Sequence, residues 1–401
     1  MHLFSILIFL LASAEGVFGG SRFWEAKAPN KRTNPRPDYS AIETINATSS
    51  LSKRAFSIES RPGQAGLPRI WPKKTIRYCF ENSQGHDKLE GLFRSAIELW
   101  AQLNRHGFKY EPVSDAECES EEKRDSVLHI HYNDYGRFST TLGIPVVDAQ
   151  EIVDNPATAI RGPTMHLSDK EGVGQESTEA NIAHELGHAW GLAHEHQNPH
   201  HWEQSDMLGP SWNIPLHNDK VYFETSDFNC ENLEDHYKIH KSVQVLIDTE
   251  TDEEERTVLQ DEYNNLCVRR VIANKYGFSA ADWLPVDNTA NMFRDAQFDP
   301  DSIMLYPSRA GGGDNFENRR IIMRYKKDSI PGLGDERLIP TRQRPSNMDV
   351  DRIAILYGNP APSTLEVPHN SGSSGFHSRL EEARSSGEFS RAGDTRDNAC
   401  G

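Results

Sequence analysis

The chain is 401 residues long, carries a formal net charge of −17 from 43 Lys and Arg against 60 Asp and Glu, and is 36% hydrophobic. That length accommodates one large or two ordinary domains, and the apolar fraction makes a core only if it is concentrated in parts of the chain. The acidic balance, with no sustained Lys/Arg cluster, excludes a nucleic-acid partner, and no stretch after the first dozen residues reaches the roughly 18 to 20 apolar residues of a membrane span.

The first residues, MHLFSILIFLLASAEG, hold an apolar run from Leu3 to Leu11 followed by Ala12-Ser13-Ala14, a small-x-small cleavage pattern that reads as a secretory signal over residues 1–14. No Lys or Arg precedes the run, and a buried N-terminal strand is the alternative. Residues 15–54 are rich in Pro, Asn, Ser and Arg, show neither helical nor strand periodicity, and read as a prosegment. Lys53-Arg54 is a dibasic pair of the kind cut in the secretory pathway, Lys31-Arg32 is a weaker one, and Asn46-Ala47-Thr48 is a glycosylation acceptor; an uncut linker is the alternative. Secretion makes the five cysteines candidates for disulfides. Cys79 with Cys118 and Cys230 with Cys267 is the neighbour pairing expected among three possible connectivities, with Cys400 left odd.

Patterned sequence begins near IWPKKTIRYCFE, where Ile76, Tyr78 and Phe80 alternate as in a strand. Leu89, Leu92, Phe93, Ala96, Leu99, Trp100 and Leu103 then recur at helical spacing and predict a helix with one core-facing stripe. VLHIHYN alternates Leu128, Ile130 and Tyr132 against His129 and His131, a strand with both histidines on a polar, satisfied face rather than on a metal. TMHLSD, residues 164–169, is a short strand. The stretch from about 203 to 290 is acidic and weakly periodic, and TDEEERT within it reads as a solvated surface loop. RPSNMDVDRIAILYG, with Met348, Ile353, Ile355, Leu356 and Tyr357, predicts a final amphipathic helix stopped by Gly358 and Pro360. Residues 360–401 are Ser-, Gly- and Arg-rich and have too little to bury to be anything but a disordered tail. This leaves 55–359 as one folded domain.

At the centre, NIAHELGHAWGLAHEHQNPHHW holds six of the 17 histidines. Residues four apart on a helix stand one turn above each other, so His184 and His188 can face one cation. Glu185, beside the first of them, is placed to bond a water on that cation without displacing it, as a general base must. Gly191 is the residue type best able to end the helix in the left-handed conformation, and a reversal there returns His194 as a third ligand. Three nitrogens and one open position mark a catalytic zinc rather than a structural one, and no cysteine lies within thirty residues to close the tetrahedron. One Zn2+ per chain is expected, with His196, His200 and His201 as supporting or surface residues.

The pattern His184-Glu185-x-x-His188-x-x-Gly191-x-x-His194 resembles the zinc motif of the metzincin metalloproteases, which is accompanied by a downstream Met-turn. DSIMLYPS, residues 301–308, is similar to that turn. Glu195 directly after the third histidine and the Met-x-Tyr turn are similar to astacins, as are WPKKTIRYCF and DRIAILYG, over about residues 68–358; the likeness is to a divergent, fungal branch. Past Glu195 the chain departs from the astacin pattern, with Gln197-Asn198-Pro199-His200 in place of an Arg and Asp pair. The resemblance implies an α+β fold with a twisted mixed sheet, a long active-site helix and a C-terminal subdomain below the cleft. It implies Met304 as a floor beneath the zinc, and Tyr306 as a catalytic phenol that ligates at rest and then hydrogen-bonds the oxyanion. It also implies that a new N-terminus at Ala55 meets Glu195. The expected activity is a secreted, monomeric zinc endopeptidase acting on protein or peptide substrates, with 164–169 as the edge strand on which substrate pairs. A secreted binding protein that keeps the fold without turnover, and a metzincin outside the astacins, are the alternatives.

Overall fold

The computed structural model describes residues 56–58, 69–147, 149–154, 159–203, 221–286, 292–293, 297–313 and 319–358. The leader 1–14, the prosegment 15–54 with Lys53-Arg54, the tail 360–401 and Cys400 lie outside them. In chain order the regular elements are β1 (Ser57–Ile58), β2 (Thr75–Phe80), α1 (Ser83–Leu99), β3 (Lys109–Pro112), α2 (Asp115–Cys118), β4 (Leu128–Asn133), β5 (Ser139–Thr140), α3 (Ala149–Asp154), β6 (Thr164–Ser168), α4 (Thr178–Trp190), α5 (His236–Thr249), α6 (Glu253–Asn264), α7 (Arg270–Lys275), β7 (Met292–Phe293) and α8 (Asn347–Leu356).

The period-2 segments form one five-stranded sheet in the order β3-β2-β4-β6-β5, parallel except for the antiparallel β6/β5 pair. Side chains alternate across a strand, and the inward set, Ile76, Leu128, Ile130, Met165 and Leu167, is fully buried. Helices α1 and α4 pack on each other and on the sheet. The predicted stripe of α1 does this work: Leu89, Phe93 and Ala96 are buried, as are Trp100 and Leu103 in the 3-10 turn that follows. Asn82 starts α1 by accepting a hydrogen bond from Gly85 N. Both expected disulfides are present, Cys79–Cys118 and Cys230–Cys267, with Cα separations of 5.9 and 5.7 Å. Among the described residues no helix is long and apolar enough to cross a membrane. The C-terminal elements join the sheet in one compact unit that runs to Tyr357.

Three expectations are corrected. The segment 164–169 is not the edge of the sheet. β6 pairs with β4 on one side and with β5 on the other, Ser139 opposite His166 and Thr140 opposite Met165. The chain doubles back there because Asn133 Nδ2 donates to both Arg137 O and Leu167 O while its Oδ1 accepts from Arg137 N. The edge on this side, opposite β3, is therefore β5, a pair of residues too short for periodicity to reveal. TDEEERT is the start of α6 and not a loop: Asp252 accepts from Glu254 N and Glu255 N, and three glutamates occupy the first turn, where the helix dipole favours negative charge. The chain is also fixed earlier than Ile70. Phe56 and Ile58 are buried, and β1 pairs with β7 while Ile58 N donates to Gly191 O and Phe56 O accepts from Ala193 N.

Candidate metal centre

Helix α4 carries the first half of the site. Ser177 caps it by accepting from Ala180 N, Glu179 lies in its first turn, and its residues from Ala180 through Trp190 are all buried. A helix hidden on every side is positioned by its neighbours. Two indoles do this directly, Trp100 Nε1 donating to Ala183 O at 2.9 Å and Trp71 Nε1 to Ala189 O at 2.7 Å. Four residues apart, His184 and His188 stand with ring centroids 4.8 Å apart. Gly187 faces Met304, and a Cβ at that position would lie 2.5 Å from the Met304 sulfur, so the turn at 301–308 approaches the helix only because residue 187 has no side chain. Gly191 ends α4 at φ +104°, its N–H bonding Gly187 O and His188 O.

The reversal at Gly191 brings His194 back as expected. Its Nε2 lies 3.2 Å from His184 Nε2 and 3.0 Å from His188 Nε2, and the three histidines form a group that could hold a metal ion. Each Nδ1 is occupied: His184 donates to Ile303 O at 2.7 Å, His188 to Leu192 O at 2.7 Å and His194 to Gln197 Oε1 at 3.0 Å. With the proton on Nδ1, the Nε2 lone pairs converge. Three nitrogens bound to a tetrahedral zinc at about 2.0–2.1 Å would be separated by roughly 3.3 Å, so this donor set fits zinc. His184 and His188 are buried and His194 keeps some exposure. Glu185, at 0% exposure, lies on α4 next to His184.

The turn that contains Met304 closes the site from the other side. Ile303 O receives His184, Met304 O accepts from Glu195 N, and Gln175 Nε2 donates to Leu305 O at 2.8 Å. Tyr306 is buried, its ring centroid 4.5 Å from His194, 4.7 Å from His196 and 5.2 Å from Trp283. His196 and His201 are fully buried supporting residues.

Glu195 is held in a buried ion pair, and Ala55, whose amine is expected to meet it after cleavage, lies outside the described residues. Arg352 of α8 grips Glu195 with both terminal nitrogens, at 2.7 and 2.8 Å, while Asp299 N donates to Oε1 and His201 Nε2 lies 3.5 Å away. Burial alone would raise the Glu195 carboxyl; the Arg352 charge outweighs it and holds the group at about 2. Asp299 and Asp349 share this buried pocket, bonded by Ser346 and Ser302. Burial, and then the Asp349 charge, push Asp299 up to about 7. Three carboxylates thus surround one guanidinium.

Gln197, Trp283, Arg352 and Gln175 escaped the sequence reading. For Arg352 a signal existed: Asp349 and Arg352 fall among the buried positions of α8, Val350, Ile353 and Ala354, where a solvated pair would not. Of the two strand histidines only His131 has the partners expected of it, since the buried Nε2 of His129 makes no hydrogen bond among the described residues. His131 stacks on His166 at 4.8 Å and sits 2.9 Å from Glu81 Oε2. Two further Cys/His groups, around Cys79 and Cys230, have their cysteines in disulfides.

No family model and no curated protein matches the chain. Among solved structures it is similar to high choriolytic enzyme 1, a hatching enzyme zinc-protease from the medaka fish Oryzias latipes, at 15% identity and a TM-score of 0.36 over 75% of this chain and 98% of that one. It is also similar to metalloproteinase-II from Bacteroides fragilis, at 17% identity and a TM-score of 0.20 over 37% of this chain and 49% of that one.

Proposed function

We propose that the chain is a zinc-dependent endopeptidase of the astacin-like metzincin kind, with His184, His188 and His194 as ligands and Glu185 as general base. One observation carries this reading: three Nε2 atoms converge at zinc-compatible separations, each fixed by an acceptor on its Nδ1, with a buried carboxylate next to the first of them. A bound zinc supplies Lewis acidity, polarising a substrate carbonyl and making water nucleophilic at neutral pH. Glu185 takes the proton of that water and delivers it to the leaving amine. Tyr306 directs its hydroxyl at the developing oxyanion, and Met304 floors the site. An extended peptide pairs its backbone with β5, an edge of the sheet, and so crosses the site in one direction.

The same reading has the leader 1–14 send the chain out of the cell, in keeping with its two disulfides, and has cleavage after Arg54 remove residues 15–54. The new N-terminus then lies one residue before Phe56, whose carbonyl is bonded to Ala193 N beside the third histidine. Protein and peptide substrates met by a monomer outside the cell complete the proposal. A fluorescence-quenched peptide library, assayed with the protein cut after Arg54 and with and without a zinc chelator, tests it. Cleavage that chelation abolishes and zinc restores is expected. Zinc bound without cleavage of any peptide would turn the reading into a binding protein on this fold.

A further inference from the structure

His184 and His188 hand their Nδ1 protons to main-chain carbonyls of the turns beside them, Ile303 and Leu192. His194 differs, because its acceptor is a side chain, Gln197 Oε1. An amide group can present either end, and its surroundings decide which. Here Gln197 Nε2 lies 3.1 Å from Ala281 O and 2.9 Å from Asp282 O, and an amide oxygen turned toward two carbonyl oxygens would meet acceptors only, so the NH2 end belongs there. The oxygen must therefore face His194, the proton of His194 must sit on Nδ1, and Nε2 is left with its lone pair toward the other two histidines.

The two carbonyls belong to the end of the 221–286 segment, whose role is not readable from the sequence. It is tied down at several points. Arg270 Nε donates to Ala281 O at 2.9 Å, Ser279 N donates to Asp235, His196 Nε2 donates to Asp282 O at 2.9 Å, and Val286 N donates back to Gln197 O at 3.0 Å. Trp283, next in the chain, is fully buried and stands edge-on to Tyr306. Gln197 itself is 5% exposed, so water is not available to replace these bonds.

We infer that the 221–286 segment acts, through Gln197, as a clamp on the third histidine: Gln197 is a positioning residue that sets the tautomer and direction of His194 and thereby the metal affinity of the site. The inference rests on the zinc reading above. Partners of this kind contribute roughly 10- to 100-fold to metal affinity.

The test measures zinc affinity of the full chain by competition with a chromophoric chelator, for the natural protein, Gln197→Met and His194→Ala. Methionine matches glutamine in length and offers no comparable hydrogen bond. Zinc bound about 10- to 100-fold more weakly by Gln197→Met, with the melting temperature of the metal-free protein within a degree or two of the natural one, is expected. Equal affinity in Gln197→Met and the natural protein, with binding lost in His194→Ala, would overturn the clamp and leave the zinc site standing. Undiminished binding in His194→Ala would overturn both. Should Gln197→Met not fold, nitrogen-15 NMR of the natural metal-free chain decides: His194 as the Nδ1–H tautomer is expected, and the Nε2–H tautomer overturns the inference.

Discussion

The two halves of the metal centre are built differently. His184, Glu185 and His188 sit within one turn and a half of α4, so helical geometry alone fixes their relation, and neighbours have only to hold the helix. His194, Tyr306 and their supports come from separated stretches: Gln197 and His196 beyond the reversal, Trp283 from the long central segment, Met304 from the turn at 301–308 and Arg352 from α8. The first half depends on secondary structure and the second on tertiary contacts. Substitutions far from α4 in sequence should therefore damage the site through its second half.

The largest effect is expected at Arg352. Removing one partner of a buried ion pair leaves an uncompensated charge, a cost of about 3–5 kcal/mol. Arg352→Met should lower stability by that amount in denaturant unfolding, because Glu195, Asp299 and Asp349 would share a pocket with no cation. The double variant Glu195→Gln/Arg352→Met should recover part of the loss. A single variant as stable as the natural protein would show that α8 does not hold the histidine loop.

Tyr306→Phe keeps the ring among His194, His196 and Trp283 and removes only the hydroxyl. A donor used in the transition state affects turnover more than binding, so kcat should fall on the order of 10²-fold with KM and zinc content little changed. Normal turnover with a lowered melting temperature would make Tyr306 a packing residue.

The smallest effect concerns pH. Asp299 has a folded pKa of about 7, above its unfolded value, through burial and the Asp349 charge. Its neutral form is therefore favoured by folding; that contribution is fully present below about pH 4 and is lost as pH rises through 7. Between pH 5 and pH 8 the natural protein should lose stability from this source. Asp299→Asn should show a flatter dependence of melting temperature on pH over that range, and equal slopes would remove Asp299 from the account.

How legible the molecule was follows the same division. The strands at 76–80 and 128–133, the stripe of α1, the capped α8 and the spacing of the three histidines rest on periodicity within a dozen residues, and each was readable. The edge strand was misplaced because β5 has two residues and is set by the Asn133 side chain rather than by pattern. TDEEERT reads as loop because its solvated glutamates give no apolar period, although they are also good first-turn residues beside the Asp252 cap. The role of Gln197 is not legible because the carbonyls that orient it lie 84 and 85 residues away, whereas Arg352 is marked by its place among the buried positions of α8 although its partner Glu195 lies 157 residues away.

The measurement that bears most directly on the central claim compares the natural protein, His188→Ala and Glu185→Ala for zinc content and peptide hydrolysis on the same preparations. Because the carboxylate serves the water and not the metal, Glu185→Ala should keep one zinc per chain and lose hydrolysis, whereas His188→Ala should lose both. Full zinc retention in His188→Ala, or undiminished hydrolysis in Glu185→Ala, would contradict the account.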